Sequence, residues 1–238
     1  MKRQSLQAKL FDIIIFFLKK PTEKFIRLFT KPNAFFDVNE FSWVEEIESD
    51  FITIQNEMNT LINSDVRIPE FRKLSKRLAG GITKGKAWQT HMMYLYGYKS
   101  TRGCRACPLS DRIIQKIPGM TTAFFSILTP GTRLSPHRGP YNGVLRYHLA
   151  LKVPRTPELC GLRVKDEARY WEEGKSLVFD DAYDHEAWNN SEEVRIVLFV
   201  DFLRPLPKGL NVWNRLMVWL IRESSIIQNT IDNIEEEH

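Results

Sequence analysis

The chain has 238 residues, 43% of them hydrophobic and 26% charged, with a formal net charge of +5. That composition excludes a disordered chain and suits a soluble folded domain with a sizeable core. The positive charge does not mark a nucleic-acid binder, because residues 1–31 carry +6 and the remainder sums to −1.

In chain order, the basic start holds Lys2, Arg3, Lys9, Lys19, Lys20, Lys24, Arg27 and Lys31 against Asp12 and Glu23. Its centre, "LFDIIIFFLKKP", is apolar from Leu10 to Leu18 apart from Asp12. A membrane-crossing helix needs about twenty apolar residues, so this stretch is too short. No small-residue cleavage site follows it, which predicts a retained segment rather than a signal peptide. The neighbouring "EKFIRLFTK" mixes aromatic, aliphatic and basic residues. Such a segment lies in a membrane interface, or packs as a helix on the protein's own surface, and the residues leave both open. Residues 1–40 therefore read as a basic-apolar arm, with peripheral membrane contact through residues 1–31 as one of its two uses.

Between Phe41 and Ile62, the apolar positions Ile47, Phe51, Ile54, Met58 and Leu61 recur every three or four residues and predict one or two helices. "KAWQTHMMYLYGYK" reads as a strand or a buried aromatic edge, and "LSDRIIQKIPG" as a short helix closed by Pro118 and Gly119. The three cysteines, Cys104, Cys107 and Cys160, are too few for a disulfide framework. The pair in "CRACP" lacks the second pair of a zinc site, so a structural loop feature is expected. This usage fits a reducing, cytoplasmic compartment.

After Met120 the pattern changes to short β-branched and aromatic runs punctuated by Gly, Pro, Asn or charged turns. Few helical patterns separate them, so a parallel α/β sheet is not expected. A two-sheet antiparallel sandwich or barrel fits, with N-terminal helices bracing one face. In "RYHLALKV", Tyr147, Leu149, Leu151 and Val153 point one way, and Arg146, His148, Ala150 and Lys152 the other. Arg146 and His148 thus stand side by side, about 7 Å apart. Arg195 opens the apolar strand "RIVLFVDF", and an arginine in that position needs an anionic partner. "GLNVWNRLMVWLIRE" then predicts an amphipathic helix with Trp213, Leu216, Met217 and Leu220 on its apolar face, and "DNIEEEH" a frayed acidic tail. Residues 41–205 read as the domain and 206–238 as helix and tail.

Three histidines fall in this strand-rich half. His137 is held between prolines in "SPHRGP", His185 lies in the polar turn "DDAYDHEAWN", and His148 is on a strand. His137 and His185 are 48 residues apart, so only a sheet that doubles back brings them together. A single histidine is usually a surface or hydrogen-bonded residue. Two turn-placed histidines near two strand arginines suggest instead a metal with a carboxylate-bearing cosubstrate, because the guanidinium fork matches a carboxylate.

From about Lys86 to Pro205 the chain resembles the aspartyl/asparaginyl β-hydroxylase family of iron(II)- and 2-oxoglutarate-dependent dioxygenases. "FSILTPGTRLSPHRGPYNGVLRYHLALKVP", "WEEGKSLVFDDAYDHEAWNNSEEVRIVLFVDFLRP" and the upstream "CRACP" carry the resemblance. It implies a double-stranded β-helix, or jelly-roll, core with flanking helices. It also implies His137 and His185 as iron ligands and Arg195 on the distal carboxylate of 2-oxoglutarate. Ser126, Arg146 and His148 would line the same cosubstrate pocket, with O₂ as the second cosubstrate. Asp180, Asp181 and Asp184 are candidates to hydrogen-bond a ligand imidazole, or simply to cap turns. Trp188 is a core candidate.

Most enzymes of this broad class place a carboxylate two residues after the first histidine. Here that residue is Gly139. The resembling peptide hydroxylases also carry glycine there, whereas the lipid A acyl-chain hydroxylases of the same family generally read "HRD". The expected activity is therefore hydroxylation of an unactivated C–H, with Gly139 favouring the β-carbon of Asp or Asn in a peptide. The basic-apolar ends favour a lipid acyl chain at a membrane surface, and a non-catalytic binding domain is the third reading.

Overall fold

The computed structural model describes residues 6–79, 81–84 and 87–237. Lys2 and Arg3 of the basic arm, and Lys86 at the expected start of the core, lie outside the described residues. Helix α1 (Leu6–Leu28) leads through strand β1 (Phe35–Phe36) to helices α2 (Val44–Ser49) and α3 (Phe51–Ile62), which divide the expected helical stretch at Asp50. Next come α4 (Phe71–Leu74), β2 (Thr83–Lys84), the expected aromatic strand β3 (Trp88–Leu95), β4 (Tyr98–Lys99), α5 (Thr101–Ala106) and α6 (Pro108–Ile114). Strands β5 (Met120–Leu128), β6 (Thr132–His137), β7 (Val144–Lys152) and β8 (Cys160–Val164) follow. After them come β9 (Glu167–Tyr170), β10 (Ser176–Phe179), β11 (His185–Asn189) and β12 (Arg195–Leu203). Helices α7 (Lys208–Glu223) and α8 (Ser225–Glu237) close the described chain.

The strand-rich half forms two antiparallel sheets. The larger has the order β1-β10-β7-β12-β5-β3-β4 and the smaller β2-β6-β11-β8-β9. From β5 to β12 the chain crosses back and forth between them, so β10-β7-β12-β5 lies opposite β6-β11-β8-β9. That is the jelly-roll form of the double-stranded β-helix, mainly β with flanking helices, as expected.

Side-chain alternation divides β7 as the sequence predicts from Arg146 to Leu151, whereas Val153, just past the strand, packs with the inner cluster instead. Tyr147, Leu149 and Leu151 pack outward with Ile47, Ile54 and Met58 of α2 and α3 in one buried cluster. Each such buried side chain contributes roughly 1.5–3 kcal/mol, enough in sum to fix which face of β7 turns outward. Arg146 and His148 consequently face into the roll. Cys104 and Cys107 are buried in the outer cluster, and burial pushes both thiols up to about 12. They pack as apolar residues, in line with a structural feature.

Strands β3 and β4 are joined across Tyr96 and Gly97 at φ 48° and 80°, the mirror-image two-residue turn that matches strand twist. The Tyr96 backbone N–H donates to Thr122 Oγ1 at 3.1 Å, which holds this non-glycine residue in its left-handed conformation.

Two terminal expectations change. Of Trp213, Leu216, Met217 and Leu220, only Met217 is fully buried; α7 packs through Leu210, Asn214, Met217, Val218 and Ile221 and exposes Leu216 and Trp219. The acidic tail is helical to Glu237, because Ile227, Ile231 and Ile234 form a stripe that α8 buries. Helix α1 buries Ile15, Thr22 and Ile26 but leaves Leu10, Ile13, Phe17 and Leu28 exposed. It packs on the protein's own surface and still presents an apolar outer face. No helix among the described residues is long and apolar enough to cross a membrane.

Candidate active site

Antiparallel pairing of β6 with β11 sets His137 directly opposite His185, and their rings lie 4.1 Å apart between centroids. His137 Nδ1 donates to the Ser135 carbonyl at 2.7 Å, and His185 Nδ1 to the Tyr183 carbonyl at 3.0 Å. A carbonyl only accepts, so each hydrogen sits on Nδ1 and each Nε2 keeps a lone pair. Burial lowers the pKa of both rings, and in His185 the neighbouring His137 lowers it further. Two neutral imidazoles with unprotonated Nε2 atoms are the donor set a divalent transition metal takes. No cluster of three or more His, Cys, Asp or Glu ligands occurs among the described residues.

Ring contacts run from this pair into the roll. Phe179 lies 6.1 Å from His185 and 5.0 Å from His148, which stacks on Trp171 at 6.0 Å. Trp171 in turn sits 4.7 Å beneath the Arg195 guanidinium. Both His148 ring nitrogens are buried without a partner, as is Arg195 Nε. Arg195 Nη1 donates to the Ser126 carbonyl at 3.0 Å and to its hydroxyl at 3.2 Å, and Trp88 Nε1 donates to the same hydroxyl at 3.0 Å.

Arg195 is only 1% exposed and has no carboxylate partner among the described residues. Burial brings its pKa down to about 10, opposed by Cys160. A desolvated cation with no counter-charge is costly, and orphaned imidazole nitrogens beside it add to that cost. An organic dianion such as 2-oxoglutarate would relieve both, so these residues fit the cosubstrate as the histidine pair fits iron.

Arg146 stands apart from Arg195. Asp201 binds its Nε at 2.8 Å, and Asp181 lies 2.8 Å from its Nη2. Burial acts to lower its pKa, but these two carboxylates overcome it and raise the value. Arg146 thus reaches the site wall with its charge already neutralised.

The carboxylates of the three candidate aspartates are engaged elsewhere than on the imidazoles, although the Asp181 backbone reaches the His185 ring. Asp180 pairs with Arg204 at 2.7 Å, Asp181 with Arg146, and Asp184 with Arg163 at 2.8 Å. Backbone carbonyls orient both rings instead. Trp188 is half-buried rather than core, lying over Gly161.

Gly139 has a steric reason for being glycine. A Cβ there would come within 1.9 Å of Asp181 Oδ2, while its N–H donates to the Asp181 carbonyl at 2.7 Å. The Asp181 carboxylate fills the space in which a residue-139 side chain would begin. Glycine at this position therefore says nothing about the substrate. The sequence reading missed this contact, and also Trp88 and Trp171, which touch the site from strand β3 and from the loop before β10.

A pocket of about 100 Å³ opens beside His137. Its walls include Phe71, Leu78, Trp88, Met92, Phe124 and Phe199; Arg146 and Asp201 in the lining pair with each other, and exposed Arg138 is the further charged residue there.

The fold and this centre define a jelly roll with two histidines set across neighbouring strands above a buried arginine. The family described as Aspartyl/Asparaginyl beta-hydroxylase matches residues 48–205, and the chain belongs to it. It is 38% identical over 236 residues to an ornithine lipid ester-linked acyl 2-hydroxylase of Rhizobium tropici, covering 99% of this chain and 83% of that protein. It is 35% identical over 123 residues to the human aspartyl/asparaginyl beta-hydroxylase, covering 50% of this chain and 16% of that protein. Among solved structures, a Pseudomonas putida prolyl-4-hydroxylase is similar with a TM-score of 0.43 at 15% identity, covering 68% of this chain and 100% of that one.

Proposed function

We propose that this member of a hydroxylase family is an iron(II)- and 2-oxoglutarate-dependent dioxygenase that hydroxylates an acyl chain of a membrane lipid. The observation that carries the lipid reading is the pocket at His137, whose walls are mainly apolar and whose Arg146 and Asp201 pair with each other, with exposed Arg138 the further charge in its lining. A peptide brings backbone N–H and C=O groups that need partners, whereas a hydrocarbon needs none. The likeness to an acyl 2-hydroxylase along nearly the whole chain supports the same choice.

His137 and His185 would hold the metal through Nε2. Arg195, with Ser126 beneath it, would anchor the distal carboxylate of 2-oxoglutarate, and His148 would offer a ring nitrogen to the same molecule. The chemistry supplied there is oxidative decarboxylation of 2-oxoglutarate with O₂ to succinate and CO₂, coupled to insertion of one oxygen atom into a C–H bond. The chain's own work is to orient these groups. The Ser135 and Tyr183 carbonyls fix the ring tautomers, Asp181 and Asp201 hold Arg146 in the wall, and the phenylalanines keep water off the reacting carbon.

Helices α1 and α7 support a membrane-surface location. They lie side by side, with Trp213 Nε1 donating to Thr22 Oγ1 at 3.0 Å, and both turn apolar residues outward beside lysines and arginines. Such a face suits the headgroup boundary of an anionic bilayer. The buried, unpaired thiols suit its cytoplasmic side.

The test is incubation of the purified protein with iron(II), 2-oxoglutarate and either lipid vesicles or Asp- and Asn-containing peptides, followed by mass spectrometry and succinate assay. An acyl fragment one oxygen heavier is expected. A heavier peptide with unchanged lipids would replace this reading by the peptide one.

A further inference from the structure

A second, larger and partly open space lies beyond the pocket at His137. Its volume is about 620 Å³, against about 100 Å³ for the pocket. The larger figure lies within the roughly 300–1,000 Å³ of sites that take a whole small molecule, and the smaller falls below it. A lipid chain reacting beside His137 therefore leaves most of its carbons to be housed elsewhere. Leu78, Tyr96 and Pro140 line both spaces, so only these residues need stand between them.

Helix α1 supplies Ile13, Ile15 and Phe17 to the walls of this chamber, and Ile221, Ile226 and Ile227 come from the α7–α8 corner. Ile13 and Phe17 are also exposed, so the chamber opens on the apolar outer face of α1. The carboxylate in its wall, Asp12, is occupied, because it accepts from the backbone N–H of Ser225 at 3.0 Å and from the Ser225 hydroxyl. Lys19 is likewise engaged, donating to the Pro140 carbonyl at 2.8 Å. Ser224 donates its hydroxyl to the Ile221 carbonyl, and Arg77 is the other charged residue of the lining. The rest is largely hydrocarbon, which offers a peptide backbone few partners.

We infer that this chamber holds the hydrocarbon tail of the lipid whose reacting carbon lies beside His137, with Tyr96 at the neck between the two spaces. The inference rests on the lipid reading of the pocket and extends it to a site that no catalytic residue touches.

The experiment uses the full chain and the fluorescent fatty acid cis-parinaric acid, alongside hydroxylation of vesicle lipids with short or long saturated chains. Ile226→Trp projects into the chamber from a half-buried position of α8. It should weaken probe binding by about tenfold and shift turnover toward the shorter chains. Ile13→Trp, at the exposed rim, gives the same readout if the first variant unfolds. Unchanged probe affinity and an unchanged chain-length profile in a folded variant overturn the inference while leaving lipid hydroxylation standing. Saturable probe binding that either variant weakens, in a protein that hydroxylates no lipid, keeps the chamber and removes the lipid reading instead.

Discussion

The interior of the roll and the helical cap around it solve different problems. Inside, charge and polarity are held at fixed positions by strand register: His137 opposite His185, and Arg195 over Ser126. Around it, α1, α7 and α8 enclose space with aliphatic side chains and leave part of that surface bare. The difference teaches that reaction chemistry and substrate choice are separable here. To hold a metal and a dianion, the roll would need atoms at defined positions, whereas the cap would need only volume and an apolar wall. Family likeness reaching both human and bacterial hydroxylases fits a common interior beneath caps that differ.

Changes in the interior should have the largest effects. His137→Ala or His185→Ala removes one of two imidazole donors, and succinate formation should fall by roughly 10³-fold or more, about 4 kcal/mol of barrier. Activity within tenfold of wild type would mean that the pair holds no metal. Next is Arg195→Met, which should cost roughly 2–5 kcal/mol of 2-oxoglutarate binding, read as a raised KM. The same variant should melt at a higher temperature without 2-oxoglutarate, since it removes a buried cation that lacks a carboxylate. A lower melting temperature would show that Arg195 is structural.

Gly139→Ala probes the boundary between fixed interior and substrate pocket. The added methyl meets the Asp181 carboxylate, so thermal unfolding should reveal a loss of about 1–3 kcal/mol. Undiminished stability would return Gly139 to being an argument about substrate. The smallest effect belongs to the cap. Lys20→Ala and Lys24→Ala should each weaken sedimentation with anionic vesicles by about 1 kcal/mol and leave turnover of a detergent-dispersed lipid unchanged. Equal binding to neutral and anionic vesicles would remove the electrostatic part of the membrane contact.

The interior was more legible in the sequence than the cap, for physical reasons. Period-two alternation in β7 separates Tyr147 and Leu149 from Arg146 and His148 without knowledge of any partner strand. Pairing of His137 with His185 depends on register across 48 residues, and the resemblance supplied it where periodicity could not. Contacts between side chains distant in sequence stayed hidden: Asp181 against Gly139, Trp171 beneath Arg195, and Trp88 on Ser126. In α8, Ile227, Ile231 and Ile234 carry a readable helical period that the acidic neighbours masked. The bare face of α1 was legible as composition, but its buried Ile15 and Ile26 depend on a body the local residues do not describe.

Tyr96 carries one further consequence. Its backbone is held at positive φ by the two-residue turn and by Thr122, and its ring is largely buried, so the ring has little freedom to swing aside. A neck at Tyr96 would in that case select by cross-section, in addition to the chamber's selection by length. Straight saturated chains would slide through it, whereas chains carrying a methyl branch or a cyclopropane ring at the constriction would jam. The turn that joins two short strands would in that way act as a calliper on fatty-acid shape.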